Sequence, residues 1–229
     1  LMGSITYLSV MWFSLASTSE QFTALNGANV AIVLLITLWA LRLGTFLFMR
    51  IHKDGEDKRF RSIKPSATQF FMTWTLQGLW VSMCSMCALT AISSETGVVM
   101  NALFYIGLGL FIYGFCTEII ADNQKSKFRS IPENRDKFIT TGLWAKSRHP
   151  NFFGEIVLWA GIAVMSFSSL NGLQYLTLIS PVFTYLLLVY VSGVRMLEAR
   201  ADKKWGQDEE YVKYKSETPV LMIKYLGRP

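Results

Sequence analysis

The sequence predicts an all-α fold, a polytopic bundle of membrane helices. Three observations lead to it. Apolar residues make up 52% of the chain while charged residues make up only 17%. Several uncharged stretches reach or exceed the roughly 20 residues that a helix needs to cross a bilayer core. Lys and Arg keep to alternate connections between those stretches, which is how charge sets topology in multi-pass proteins.

Six spans are visible, at about 1–18, 28–50, 69–92, 98–119, 152–170 and 173–195. The first is the shortest. The second holds the run VAIVLLITLWALRLGTFLF, and the fifth and sixth are joined by SFSSLNGLQ, which implies a tight antiparallel pair. No repeat or low-complexity segment breaks the chain, so 1–229 reads as a single transmembrane domain with a tail from about 196 to 229. The connections STSEQFTALNGAN, ISSETG and SFSSLNGLQ carry no Lys or Arg, whereas RIHKDGEDKRFRSIKP, ADNQKSKFRSIPENRDKFITTGLWAKSRHPN and the tail are basic. These basic segments are expected in the cytosol, with a bacterial inner membrane as the setting. The net charge of +6 therefore has a topological origin, and no nucleic-acid partner is implied. No basic region precedes the apolar start at Leu1, so no cleavable signal peptide is expected. A chain that has lost residues ahead of Leu1, a further span among them, fits the same pattern.

Cys84 and Cys87 form a CxxC inside VSMCSMCALT, without the second pair or His cluster that zinc requires. They read as small apolar residues of a membrane helix, and Cys116 also lies in an apolar segment. No metal site is expected.

Topology leaves several polar residues unexplained. Glu118 and Asp122, in TEIIAD, stand one turn apart at the cytosolic end of the fourth span. Like charges at that spacing repel, the helix C-terminus disfavours acids, and carboxylates at membrane depth point to function. Such groups accept hydrogen bonds from ribose hydroxyls or a carboxamide. Arg42 lies about two turns inside the second span and needs an anion. A salt bridge to Glu118 and a cofactor phosphate are both open.

The densest cluster is GLWAKSRHPNFFGEIVLW. Asn151 after Pro150 is expected to cap the next helix. Arg148 and His149 immediately before it add positive charge to a helix N-terminus, forming a candidate anion site. Glu155 follows one turn into the membrane. In the tail, Glu198 and Arg200 fall near the end of the sixth span. Tyr211 and Tyr214 share one side of a short helix, either a solvated amphipathic tail or a flap whose rings stack on a base. Asp57, Lys58 and Arg59 either bind a phosphate or pair with each other.

The acid pair, the SRHPNFFGEIVLW block and the LEARADKKWG…YVKYKSETPVL tail resemble the bacterial branch of the steroid 5-alpha-reductase family, over about residues 30–225. The resemblance implies a seven-helix membrane bundle holding NADPH in a cavity open to the cytosol. Asn151, Glu155 and Trp159 match the family's Asn-x-x-x-Glu-x-x-x-Trp run at the cofactor. Glu118 and Asp122 match the pair that holds the nucleoside, Arg42 and Arg129 match phosphate-contacting arginines, and Tyr211 and Tyr214 match the Tyr-rich tail. The family's Gln-Glu pair is missing from the first spans, and the carbonyl-polarising Tyr aligns near Trp39. Tyr7 is the proton-donor candidate.

The implied reaction is NADPH-dependent reduction of a carbon–carbon double bond conjugated to a carbonyl. The substrate would be lipophilic, such as a 3-oxo-4-ene steroid entering from the bilayer, and the enzyme a monomer among membrane lipids. Two alternatives stay open. A shorter RHPxY motif occurs in isoprenylcysteine and phospholipid methyltransferases, which use S-adenosylmethionine. A non-enzymatic lipid-binding or transport protein is the other, against which stands the absence of internal repeats and broken helices.

Overall fold

A computed structural model describes residues 2–21, 26–55, 60–191 and 193–223, and no strand occurs among them. The long helices are α1 (Met2–Gln21), α2 (Gly27–Asp54), α4 (Ala67–Ile92), α5 (Ala102–Ser130) and α6 (Pro150–Ser166), with α3 (Phe60–Ile63) a single turn before α4. After α6, short helical turns lead to α7 (Ile179–Leu186), a π-helical turn at Leu187–Val191, α8 (Val194–Trp205) and α9 (Glu209–Glu217). Five helical stretches among the described residues are long and apolar enough to cross a membrane: Gly27–Lys53, Ala67–Ile92, Ala102–Ser130, Pro150–Ser169 and Gly172–Trp205. The protein is thus an integral membrane helix bundle. The first expected span does form a helix, α1, but its Ser- and Thr-bearing sequence leaves it outside those five. Asp57, Lys58 and Arg59 lie outside the described residues.

The chain divides into two compact units. Leu1–Ile106 with Ile162–Ser180 forms one, and Gly107–Gly161 with Pro181–Pro229 the other.

In the first unit α1 packs on α2 and α4 around Met11, Ile32, Ile36, Trp39, Cys84 and Cys87. Small residues set the spacing: Gly44 lies against Ser4, where an added Cβ would meet the hydroxyl at 2.6 Å. Cys84 and Cys87 are buried free thiols, in line with a packing role. Two asparagines tie the start of α2 to the turn after α4. Asn26 caps α2 by accepting from Ala28 N at 2.9 Å and donates to Val98 O at 3.0 Å. Asn29, 2% exposed, accepts from Val98 N at 2.8 Å and donates to Ile92 O at 3.3 Å. These bonds satisfy backbone groups that have left water, and Gly97 supplies the positive φ of 62° that the turn requires.

In the second unit α5 and α6 meet backbone to backbone. A Cβ on Gly154 would stand 2.5 Å from Gly114 O and 2.8 Å from Glu118 N, and one on Gly161 would stand 2.6 Å from Gly107 O. Glycines seven residues apart on both helices, 107 and 114 against 154 and 161, let the backbones approach as small residues do in membrane interfaces. Beyond α5, Trp144 is buried with its indole N–H donating to Ala121 O at 3.0 Å, and Gln124 Oε1 accepts from Leu143 N at 2.9 Å.

Candidate functional site

The glycine contact sets the level of the polar side chains. Glu118 and Asp122 on α5 and Glu155 on α6 are all buried, at 3%, 7% and 7% exposure. Because Gly154 touches the Glu118 backbone, Glu155 sits beside it at the same height. Asn151, Glu155 and Trp159 follow at four-residue intervals on α6 and so share one stripe, with Trp159 1% exposed and Asn151 half-buried. Glu118 on α5 thus lies at the level of the first two turns of α6, which carry Asn151 and Glu155, and Asp122 follows one turn further along α5. Among the described residues no group of His, Cys, Asp and Glu is arranged to hold a metal ion.

The helix start differs from the expectation. α6 begins at Pro150, not after Asn151. Proline suits the first helical position because its missing N–H has no helical partner to lose. The first helical bond therefore runs from Phe153 N to His149 O at 3.1 Å, and Asn151 lies inside the first turn rather than capping it.

The basic pair before the helix is engaged. Arg148 Nη1 donates to Glu198 Oε2, and His149 Nε2 stands 2.8 Å from Glu198 Oε1. Glu198, on α8, thus takes one partner on each oxygen, with Lys215 Nζ at 3.8 Å. Glu198, expected among the cofactor-binding residues, stands against the Arg148 and His149 side chains. The anion site expected from Arg148 and His149 has its charge already matched by this carboxylate. The backbone reinforces the arrangement: Arg148 N donates to Pro219 O at 2.9 Å, His149 N to Val220 O at 3.0 Å, and Ser147 Oγ to Leu221 O at 2.9 Å. The tail is fastened to the RHP turn by main chain and side chain together. Burial holds His149 below the ordinary histidine range, against the opposing pull of Glu198.

Tyr211 and Tyr214 fasten the tail from its other side. Both rings pack on Phe138, with centroids at 5.2 and 5.7 Å, and Trp205 lies 6.0 Å from Tyr211. Tyr211 OH donates to Asp202 Oδ1 at 3.0 Å, beside Lys215 at 2.5 Å, and Tyr214 OH donates to Trp144 O at 2.6 Å. Burial raises both phenols, Tyr214 to about 12, so both remain protonated donors at neutral pH. Tyr211 is buried and Tyr214 half-buried, and both rings help to dock α9. Arg129 lies exposed in the last turn of α5, where a cation suits the helix dipole.

In the first unit, Tyr7 is 3% exposed and stands edge-on to Trp39, centroids 5.2 Å apart. The two positions singled out for the substrate side are therefore neighbours. Arg42, half-buried on α2, lies 5.2 Å over the Phe46 ring one turn on.

The sequence reading missed Trp144, Gln124, Phe138 and Asp202, whose roles depend on contacts far along the chain. The paired glycine spacing on α5 and α6 was the one available signal for the close helix approach.

A probable O-methyltransferase, ustE, from Ustilaginoidea virens is 30% identical over 116 residues. The match covers 44% of this chain and 41% of that protein, so the chain spans less than half of this relative's length. No solved structure gives a significant match. Residues 2–218 match the family described as "Protein of unknown function (DUF1295)", and the chain belongs to that family.

Proposed function

We propose that the protein is an NADPH-dependent membrane reductase of a carbon–carbon double bond conjugated to a carbonyl in a lipophilic substrate, a 3-oxo-4-ene steroid being the type case. The observation that carries this reading is the buried carboxylates Glu118, Asp122 and Glu155, with half-buried Asn151, at the level of the first turns of α6. Carboxylates out of water at membrane depth are costly without a purpose. The hydroxyls and carboxamide of a dinucleotide are donors of the kind that carboxylates accept. Arg129 and Arg42 supply positive charge for phosphates, as the steroid 5-alpha-reductase resemblance implies.

The cofactor, when bound, provides the hydride. The chain's own residues have three tasks. Glu118, Asp122 and Asn151 orient the nucleoside and carboxamide. The apolar helices exclude water and admit substrate from the bilayer. Tyr7 beside Trp39 hydrogen-bonds the substrate carbonyl as enolate charge develops, stabilisation of a kind that often dominates such chemistry. The basic loops and tail lie in the cytosol, in a bacterial inner membrane.

A second reading is favoured by one finding, the relative named as a probable O-methyltransferase. S-adenosylmethionine also carries a ribose for the same carboxylates. Calorimetric titration of the detergent-purified protein with NADPH, NADH and S-adenosylmethionine, alongside Asp122→Asn, separates the two. NADPH binding that the variant weakens supports reduction. Binding of S-adenosylmethionine alone transfers the site to the methyltransferase reading.

A further inference from the structure

His149 is 6% exposed, and its Nδ1 is a buried atom with no hydrogen-bond partner. Arg148 Nε is a second such atom. Each lies two bonds from the atom that its own side chain sets on Glu198, so the carboxylate satisfies one end of each side chain and leaves the other unmet. An unmatched buried polar atom in a native site calls for an explanation.

The chemistry of Glu198 decides what His149 offers. A carboxylate only accepts, so the 2.8 Å contact to Nε2 places the imidazole proton on Nε2. Neutral imidazole then has a bare lone pair on Nδ1. An acceptor cannot bind a phosphate oxygen, which is itself an acceptor, but it binds a hydroxyl. We infer that Glu198 is a positioning residue that holds His149 in the Nε2–H tautomer, so that Nδ1 accepts a hydrogen bond from a ribose-type hydroxyl of the bound cofactor. The RHP turn is then a hydroxyl-reading site and not an anion clamp, its positive charge being matched from behind by Glu198. Stacking of the ring on Phe152, nearly coplanar at 8° with centroids 5.7 Å apart, keeps the imidazole from rotating away. This deepens the cofactor reading above and rests on it for the identity of the ligand.

The chain has two histidines, and His52 is exposed on α2, so a His52→Gln background leaves a single imidazole to observe. Nitrogen-15 NMR of histidine-labelled full-length protein in detergent at neutral pH reports which ring nitrogen holds the proton. The expected spectrum is the neutral Nε2–H form, with the Nδ1 resonance moving toward its hydrogen-bonded position on saturation with NADPH. Glu198→Gln gives a second, sharper readout. Glutamine has one acceptor oxygen, which Arg148 must take because it has only donors. The amide NH2 then faces His149 Nε2, and the proton moves to Nδ1. The tautomer inverts, and cofactor binding weakens roughly two- to tenfold, the worth of one ordinary hydrogen bond.

An Nδ1–H form or an imidazolium in the parent protein overturns the inference. So does NADPH binding, seen by calorimetry, that leaves the Nδ1 resonance unmoved. If S-adenosylmethionine and not NADPH moves the resonance, the hydroxyl-reading role stands and the reductase reading falls. If neither ligand binds, both fail.

Discussion

Replacing Gly154 with alanine tests how far the site depends on the α5–α6 contact. The new Cβ would lie 2.5 Å from Gly114 O and 2.8 Å from Glu118 N. Both are backbone atoms, so no side chain can rotate out of the way. Relief to the 3.4 Å at which ordinary contact begins requires the helices to part by about 0.9 Å. A gap of that size forfeits a quarter to a half of the dispersion attraction along the seam, and overpacking of this kind costs about 1–3 kcal/mol. For a chain of this length the melting temperature should fall by about 2–12 °C, read by thermal unfolding in detergent. Because Glu118 and Glu155 are set by the same contact, cofactor affinity should fall along with stability. Gly109→Ala is the control: it lies on α5, the other helix of the contact, with nothing within 4 Å of the added carbon, and alanine favours the helix there. An unchanged melting temperature and affinity in Gly154→Ala, or an equal loss in Gly109→Ala, would refute the reasoning.

Three further outcomes are expected. His149 is held neutral by burial, so below the ordinary histidine value near 6.5 the unfolded chain binds a proton that the folded chain does not. Stability should fall with pH from about 6.5 downward, and His149→Gln should remove that part of the slope in pH-dependent unfolding. Tyr214→Phe removes the donor to the Trp144 carbonyl and should cost about 1–3 kcal/mol because that acceptor is left unmatched; limited proteolysis should show the tail released earlier. Asn29→Ala leaves Val98 N without its acceptor in a buried turn and should cost a similar amount, about 1–3 kcal/mol, by thermal unfolding.

Much of the fold was legible in the sequence because length and apolarity alone fix a membrane span. The stretches at 28–50, 69–92, 98–119, 152–170 and 173–195 each fall within or overlap one of the five membrane-length helices. The helix at the N-terminus was legible too, though as the shortest of the expected spans, and it falls outside the five membrane-length helices. Among site residues, Glu118, Asp122 and Glu155 stood out because burial of an acid in an apolar run is visible locally. The same local logic misjudged Asn151, since a proline that can open a helix makes a following cap unnecessary. Arg148 looked free because its partner, Glu198, lies fifty residues on. The tyrosines of α9 gave a helix face but not its occupant, which is Phe138 from a distant loop. Pairings across the chain depend on tertiary packing, which periodicity does not encode.

The most direct test of the central claim is to trace labelled atoms into product. Protein in lipid vesicles is supplied with a lipophilic 3-oxo-4-ene substrate, NADPH deuterated at the transferable position of the nicotinamide, and S-adenosylmethionine with a deuterated methyl group. Mass spectrometry of the product then distinguishes the two chemistries. Saturated product carrying one deuterium from NADPH is the predicted result. An unreduced substrate, or acceptor lipid carrying the labelled methyl group, would contradict the account.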